Sequence, residues 1–173
     1  MKPRGFALFE TAIGVCGIAW SDGGITSVQL PERDDETTRA RLAKRCAGAT
    51  ETLLPPDVQR AVDAITSLLD GEAIDLSFVT LDMDGVPDFH CRVYEVARTI
   101  RPGATLSYGD IAARLGEPGS ARAVGQALGR NPFVLVVPCH RVLAARGRTG
   151  GFSANGGTST KLTLLAIEGA QLF

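Results

Sequence analysis

Phe133, Val134, Leu135, Val136 and Val137 follow one another without a polar interruption and run straight into Pro138. Such a run has to be buried, and its β-branched content reads as a short core strand. Proline cannot donate to a strand ladder, so the strand ends or turns there. The chain is then held at the rim of a core just where Cys139-His140-Arg141-Val142-Leu143 begins. A thiol is a strong nucleophile only as thiolate, a form that a nearby imidazole or positive charge promotes. Neighbours on an extended chain point to opposite sides. His140 therefore reaches the sulfur only if the backbone turns here or a water bridges the gap. Taken alone, the pair reads first as an inert core cysteine beside a surface histidine, and its context has to overturn that.

Upstream lie two short helical segments. Ser107 is a good N-cap with Asp110 three residues on, a capping-box pairing that starts a helix over 108–115. Gly116-Glu117-Pro118-Gly119 breaks it, and Ser120 is placed to cap a second helix over 121–129. Two short helices joined by a tight turn, the second flanked by arginines, read as a helix-turn-helix. The second helix carries Ala121, Ala123, Gly125, Ala127 and Gly129. Each interior glycine costs about 1 kcal/mol against alanine. A helix that accepts this has something passing close to it, either a nucleic acid or the first helix.

Charge points the same way. Residues 1–97 hold nine Lys/Arg and sixteen Asp/Glu (−7), and residues 98–173 hold nine and three (+6). Only the second half is suited to face a polyanion. With no run of about 18 apolar residues and no apolar segment behind the N-terminal basic residues, neither a membrane span nor a signal peptide is expected. Cys16, Cys46, Cys91 and Cys139 form no zinc spacing, which argues for free thiols in a reducing compartment. With His90 and His140 as the only histidines, a metal site is not expected.

The first half reads as a small α/β domain. Short β-rich runs at 6–10, 15–20 and 25–30, with Ser21-Asp22-Gly23-Gly24 as a hairpin signal, predict a three-stranded antiparallel sheet. Residues 35–44 are helix-compatible. Pro55-Pro56 opens an amphipathic helix with Val58, Val62, Ile65, Leu68 and Leu69 on one face, stopped near Gly71. Residues 76–81 are β-like, and 82–87 read as a turn that divides a domain 1–86 from a domain 87–173. Asp34-Asp35-Glu36 reads as a solvated acidic face, and Cys16 and Cys46 as packing residues. The second domain opens with a helix over 89–100, which Pro102-Gly103 ends. Residues 144–157 form a Gly-rich loop, and 161–169 a last amphipathic helix with Leu162, Leu164, Leu165, Ala166 and Ile167 available to the core. Glu168 sits at its end, where the helix dipole disfavours a carboxylate, so a partner for it is expected.

Three ordered segments carry a resemblance. Val137-Pro138-Cys139-His140-Arg141-Val142-Leu143, the run Ser120 to Pro132, and Leu106-Ser107-Tyr108-Gly109-Asp110-Ile111-Ala112 together resemble the 6-O-alkylguanine-DNA alkyltransferases, strongly over about 87–169. The resemblance implies a ribonuclease-H-like α/β N-terminal domain and a mostly α, winged-helix or helix-turn-helix C-terminal domain. The implied reaction is irreversible, single-use transfer of an alkyl group from 6-O-alkylguanine in flipped-out DNA to Cys139, with 4-O-alkylthymine a further candidate substrate. His140 would take the thiol proton through a water, Glu168 would orient His140, and Asn131 would brace the turn. Arg122 would fill the vacated stack, Tyr108 would help rotate the phosphate, and Ala121, Ala123 and Gly125 would face the minor groove. Leu128, Pro138, Val142, Phe152 and Ser153 would line the base pocket, with the carbonyls of Cys139 and Val142 touching the guanine edge. Phe152 stands where many family members have tyrosine, and the 152–161 loop is longer than in some. No cofactor or metal is implied. The expected partner is double-stranded DNA carrying the lesion, met by a stand-alone monomer in the cytoplasm, or the nucleus if the source is eukaryotic. The rival is a non-catalytic alkyl-lesion binder, which would lack the nucleophile.

Overall fold

A computed structural model describes residues 4–144 and 156–170. The chain divides into two compact units, one of residues 4–84 with 132–136 and one of 85–131 with 137–170. The short strip 132–136 thus packs with the first unit although the chain on either side belongs to the second.

The first unit is built on a meander. Strands β1 (Gly5–Thr11), β2 (Gly14–Ser21) and β3 (Gly24–Gln29) pair antiparallel in sequence. A two-residue strand β4 (Thr50–Glu51) adds to β1 in parallel, giving the order β3-β2-β1-β4. Helix α1 (Asp35–Arg45) packs on the meander, burying Leu42 with Phe6, Ala19 and Cys46. Asp34, Asp35 and Glu36 are all exposed, as a solvated acidic face should be, and Asp34 has a further role: its side chain accepts from the Thr37 amide at 2.7 Å as the N-cap of α1, which satisfies one of the orphan donors of the first turn. Helix α2 (Pro56–Leu69) has the expected apolar face, with Val58, Val62, Ile65, Leu68 and Leu69 buried.

Two strand expectations fail. Residues 76–81 touch the sheet through a single parallel bridge, Ile25 to Leu81. Residues 133–137, all buried except half-buried Val134, are irregular: Phe133 bridges Val28 on the open edge of β3, and the Val28 amide donates to the Pro132 carbonyl at 2.9 Å. Leu135 then turns the chain with φ of 75°, a left-handed conformation that a strand cannot contain. Apolar content predicted the burial, but burial alone does not distinguish a strand from a packed turn.

The second unit is mostly helical: α3 (Asp88–Ala97), α4 (Tyr108–Arg114), α5 (Ala121–Gly129) and α6 (Thr158–Ile167). Strands β5 (Leu106–Ser107) and β6 (Val142–Leu143) form a two-residue parallel pair. The capping box of α4 is complete, with Ser107 Oγ accepting from the Asp110 amide at 2.9 Å and Asp110 accepting from the Ser107 amide at 2.8 Å. Ser120 does not cap α5. A 3-10 turn over Pro118–Ser120 precedes that helix, and Ser120 Oγ donates to the Glu117 carbonyl at 2.6 Å instead. In α6 the buried residues are Lys161, Leu164 and Leu165, while Leu162 is exposed.

Gly24 shows how closely the meander is fitted. Its φ is +130°, and a methyl group added there would lie 2.6 Å from the Thr80 carbonyl oxygen, which accepts from the Ile25 amide. Gly24→Ala is expected to cost at least about 2 kcal/mol from backbone strain and overpacking together, measurable as a lowered urea midpoint.

Candidate active site

The backbone does turn at the cysteine. Cys139–Arg141 form one turn of 3-10 helix, with the Cys139 amide donating to the Val137 carbonyl at 2.8 Å and the Arg141 amide to the Pro138 carbonyl at 2.9 Å. Cys139 is only 8% exposed, at the rim of the second unit's core. Burial pushes its thiol pKa up, and four things oppose that: a hydrogen bond from the Asn131 side chain, the charge of Lys161, and the backbone amides of Cys139 and His140. Asn131, itself buried, also donates from Nδ2 to the Val137 carbonyl at 2.9 Å. It thereby ties the residue two before the cysteine to the sulfur.

His140 is fully buried, and its Nε2 lies 2.9 Å from Glu168 Oε2. Glu168 caps the C-terminus of α6, where its carboxylate also receives Arg141 in a fork, Nε to Oε1 at 2.8 Å and Nη2 to Oε2 at 2.7 Å. Burial alone would raise the Glu168 pKa, but the hydrogen bonds from Arg141 and His140, together with the Arg141 charge, hold it at about 2. Burial lowers the pKa of His140 despite Glu168, so the resting imidazole is neutral. A neutral ring facing a carboxylate through Nε2 carries its proton there. Nδ1 is then the basic nitrogen, buried and without a hydrogen-bond partner among the described residues.

Two members of this cluster were not singled out by their own sequence pattern. Arg141 supplies most of the bonds to Glu168 and also donates from Nη1 to the Ile100 carbonyl at 2.7 Å. Lys161 is fully buried, donates to the Val142 carbonyl at 2.7 Å and lies 5.8 Å from the centre of the Tyr108 ring. Burial draws its pKa down to about 8, with Cys139 pulling the other way. A signal for Lys161 was present: Lys161, Leu164, Leu165 and Glu168 recur at i, i+3, i+4 and i+7, which places a lysine on the buried face of α6.

Tyr108, at the first position of α4, is half-buried; burial first and Cys139 second raise its pKa. The carbonyls of Cys139 and Val142 each take one protein donor, the Val142 amide and Lys161. Each keeps a second lone pair. Leu128, Pro138 and Val142 are buried around the turn. Arg122 lies outside the hydrogen-bonded cluster, exposed in the first turn of α5, with Ala121, Ala123 and Gly125 half-buried on the same helix. Phe152 and Ser153 lie outside the described residues. Among the described residues no three His, Cys, Asp or Glu side chains group as metal ligands, and no helix is long and apolar enough to cross a membrane.

Residues 88–170 match the DNA-binding domain of the 6-O-methylguanine DNA methyltransferase family. A methylated-DNA–protein-cysteine methyltransferase from Methanothermobacter thermautotrophicus is 36% identical over 156 residues, 90% of this chain and 80% of that protein. The chain belongs to this methyltransferase family. The family likeness extends to the whole fold: the crystal structure of Mycobacterium tuberculosis OGT in complex with DNA superposes with a TM-score of 0.77 at 34% identity, covering 95% of this chain and 92% of that one. A Thermus thermophilus protein named as a DNA base-flipping protein is 43% identical over 111 residues, 64% of this chain and 73% of that protein.

In this methyltransferase the Glu168 cluster also sets a stability limit. Glu168→Ala leaves the Arg141 guanidinium and the His140 N–H buried without their acceptor, at an expected cost of about 3–5 kcal/mol, read from chemical denaturation. The Glu168 pKa is depressed when folded, so its stabilisation is complete above the ordinary carboxylate value of 4.5 and is lost as pH falls toward about 2. Acid titration of the wild type should show a loss of stability in that window which the variant lacks.

Proposed function

We infer that this protein repairs DNA by taking the alkyl group of 6-O-alkylguanine onto Cys139, once per molecule. The observation that carries the reading is the nucleophile's setting: a rim-buried thiol flanked by amide donors and Lys161, beside an imidazole whose orientation Glu168 fixes.

The target oxygen is inside the base stack, so the nucleotide must leave the duplex. Arg122, exposed in the first turn of α5, fills the vacated place with a planar group that can hydrogen-bond the orphaned base. Tyr108 hydrogen-bonds the phosphate or the guanine ring. The carbonyls of Cys139 and Val142 present acceptors to the guanine edge. His140 Nδ1 takes the thiol proton through a water, and Asn131, Lys161 and the turn amides hold the resulting thiolate. Sulfur then attacks the alkyl carbon. The carbon–oxygen bond breaks, guanine leaves with the electron pair, and the proton passed through His140 restores it to a neutral base. The product thioether has no leaving group that water can displace, so the protein is consumed. Phe152 and Ser153 are carried as pocket walls by the family resemblance alone.

The glycines of α5 support DNA as the partner. A methyl group on Gly125 would make ordinary 3.9 Å contact with Tyr108, and one on Gly129 would meet nothing within 4 Å among the described residues. Packing against α4 therefore does not require them, which favours a partner at this face. We also place both DNA contact and alkyl acceptance in a domain of residues 87–173, and the protein, as a monomer, in a reducing compartment such as the cytoplasm.

Incubation with an oligonucleotide carrying 6-O-methylguanine should add one methyl group to the intact mass, mapped to Cys139 and absent in Cys139→Ala. Unmodified protein that still binds the lesion tightly would instead make it a lesion binder that flips bases without repair. Gly129→Ala should hold or raise folding stability, by up to about 1 kcal/mol, yet weaken DNA binding several-fold. Calorimetry and a DNA titration at fixed salt separate the two effects.

A further inference from the structure

Tyr94 is a group that the repair reading does not use. It sits on α3, fully buried, and its hydroxyl donates to the Ala127 carbonyl on α5 at 2.7 Å. Ala127 is in the last turn of α5. In a continuing helix its carbonyl would accept from the amide of Asn131, four residues on. Instead the helix tightens: the Arg130 amide donates to Ala127 and the Asn131 amide to Leu128, each at 3.2 Å. The tyrosine hydroxyl occupies the carbonyl that the missing α-helical bond would have taken. This ends α5 at Gly129, two residues before Asn131, so that the Asn131 side chain leaves the helix toward Val137 and Cys139.

We propose that Tyr94 is a positioning residue for alkyl transfer, locking the end of α5 so that Asn131 is held on the Cys139 sulfur. The inference rests on the repair reading only for its rate consequence; the geometric part concerns the thiol itself. A hydroxyl is required for this, because phenylalanine would fill the same space and release the carbonyl. Released, the Ala127 carbonyl can take back the Asn131 amide, and the asparagine turns with its backbone. Tyr94 is near enough to the thiol for the two to interact electrostatically, with Cys91 and Arg130 also acting on its hydroxyl. Among the described residues, the other titratable groups acting near Cys139 are Lys161 from α6, Tyr108 from α4, and His140 with its partners Glu168 and Arg141. The Tyr94 hydroxyl is bonded to the Ala127 carbonyl, so its removal should reach the sulfur through the end of α5 and Asn131.

The test is made on the full chain without DNA first. Alkylation of Cys139 by iodoacetamide, followed by peptide mass mapping across a pH series, gives the midpoint of thiol reactivity. Tyr94→Phe is expected to raise that midpoint by about one pH unit, equivalent to a tenfold loss of thiolate at neutral pH. Asn131→Ala should do the same, and the double variant should be no worse than Asn131→Ala alone. Single-turnover transfer from methylated DNA at saturation should then fall about tenfold in Tyr94→Phe at pH 7, with the DNA dissociation constant unchanged. A Tyr94 hydroxyl with only a structural role would lower the melting temperature in Tyr94→Phe without moving the midpoint, and that result overturns the proposal. So does a double variant whose loss is the product of the two single losses. Wild-type protein whose Cys139 titrates as described but accepts no methyl group from DNA would overturn the repair reading and leave the positioning role standing.

Discussion

A buried carboxylate is the constraint on which the second unit depends. Glu168 closes α6 with its side chain almost wholly out of water, and an isolated carboxylate there would be prohibitively costly. It is tolerated because one short turn of chain, Cys139–Arg141, brings two donor side chains to it, the imidazole of His140 and the guanidinium fork of Arg141. The same guanidinium reaches the Ile100 carbonyl just beyond α3. One ion cluster therefore ties the end of α6, the turn that bears the nucleophile and the segment following α3.

The chemistry inherits its order from that cluster. Glu168 fixes which imidazole nitrogen of His140 holds the proton, and so leaves the other as the base. Burial keeps the Cys139 thiol protonated at rest, while the Asn131 side chain, Lys161 and the amides of Cys139 and His140 favour the thiolate. A sulfur in that balance resists solvent chemistry until a proton acceptor and an electrophile are both present. For a protein that can react only once, such restraint matters as much as reactivity. Lys161 contributes a positive charge that is itself weakened by burial, so it assists the thiolate over a limited pH range rather than forcing it.

Much of this was legible in the residues. The capping box of α4, the amphipathic face of α2, the three-stranded meander and the break between α4 and α5 follow from local rules, because caps, turns and apolar periodicity act within a few residues. The ambiguity of the Cys139-His140 pair was legible too. Extended backbone would have separated them, whereas the chain makes a 3-10 turn there. The failures share a cause. Residues 76–81 and 133–137 were read as strands because they are apolar and β-branched. Whether such a run pairs along its length depends on which sheet edge is free and on how the chain must arrive there. Ser120 had the composition of a helix cap, but a preceding 3-10 turn engaged its hydroxyl first.

What the sequence by itself determined is the set of short-range structures and which residues are candidates for the chemistry, since a thiol, an imidazole and a terminal carboxylate can be picked out by type and by likeness to a family motif. What only the tertiary structure decided is which groups answer one another across the chain: Arg141 with Glu168, Lys161 with the Val142 carbonyl, Tyr94 with Ala127. Those bonds join residues 19 to 33 positions apart, and each exists because its polar group was buried by packing and had to find a partner there. No local pattern encodes that requirement.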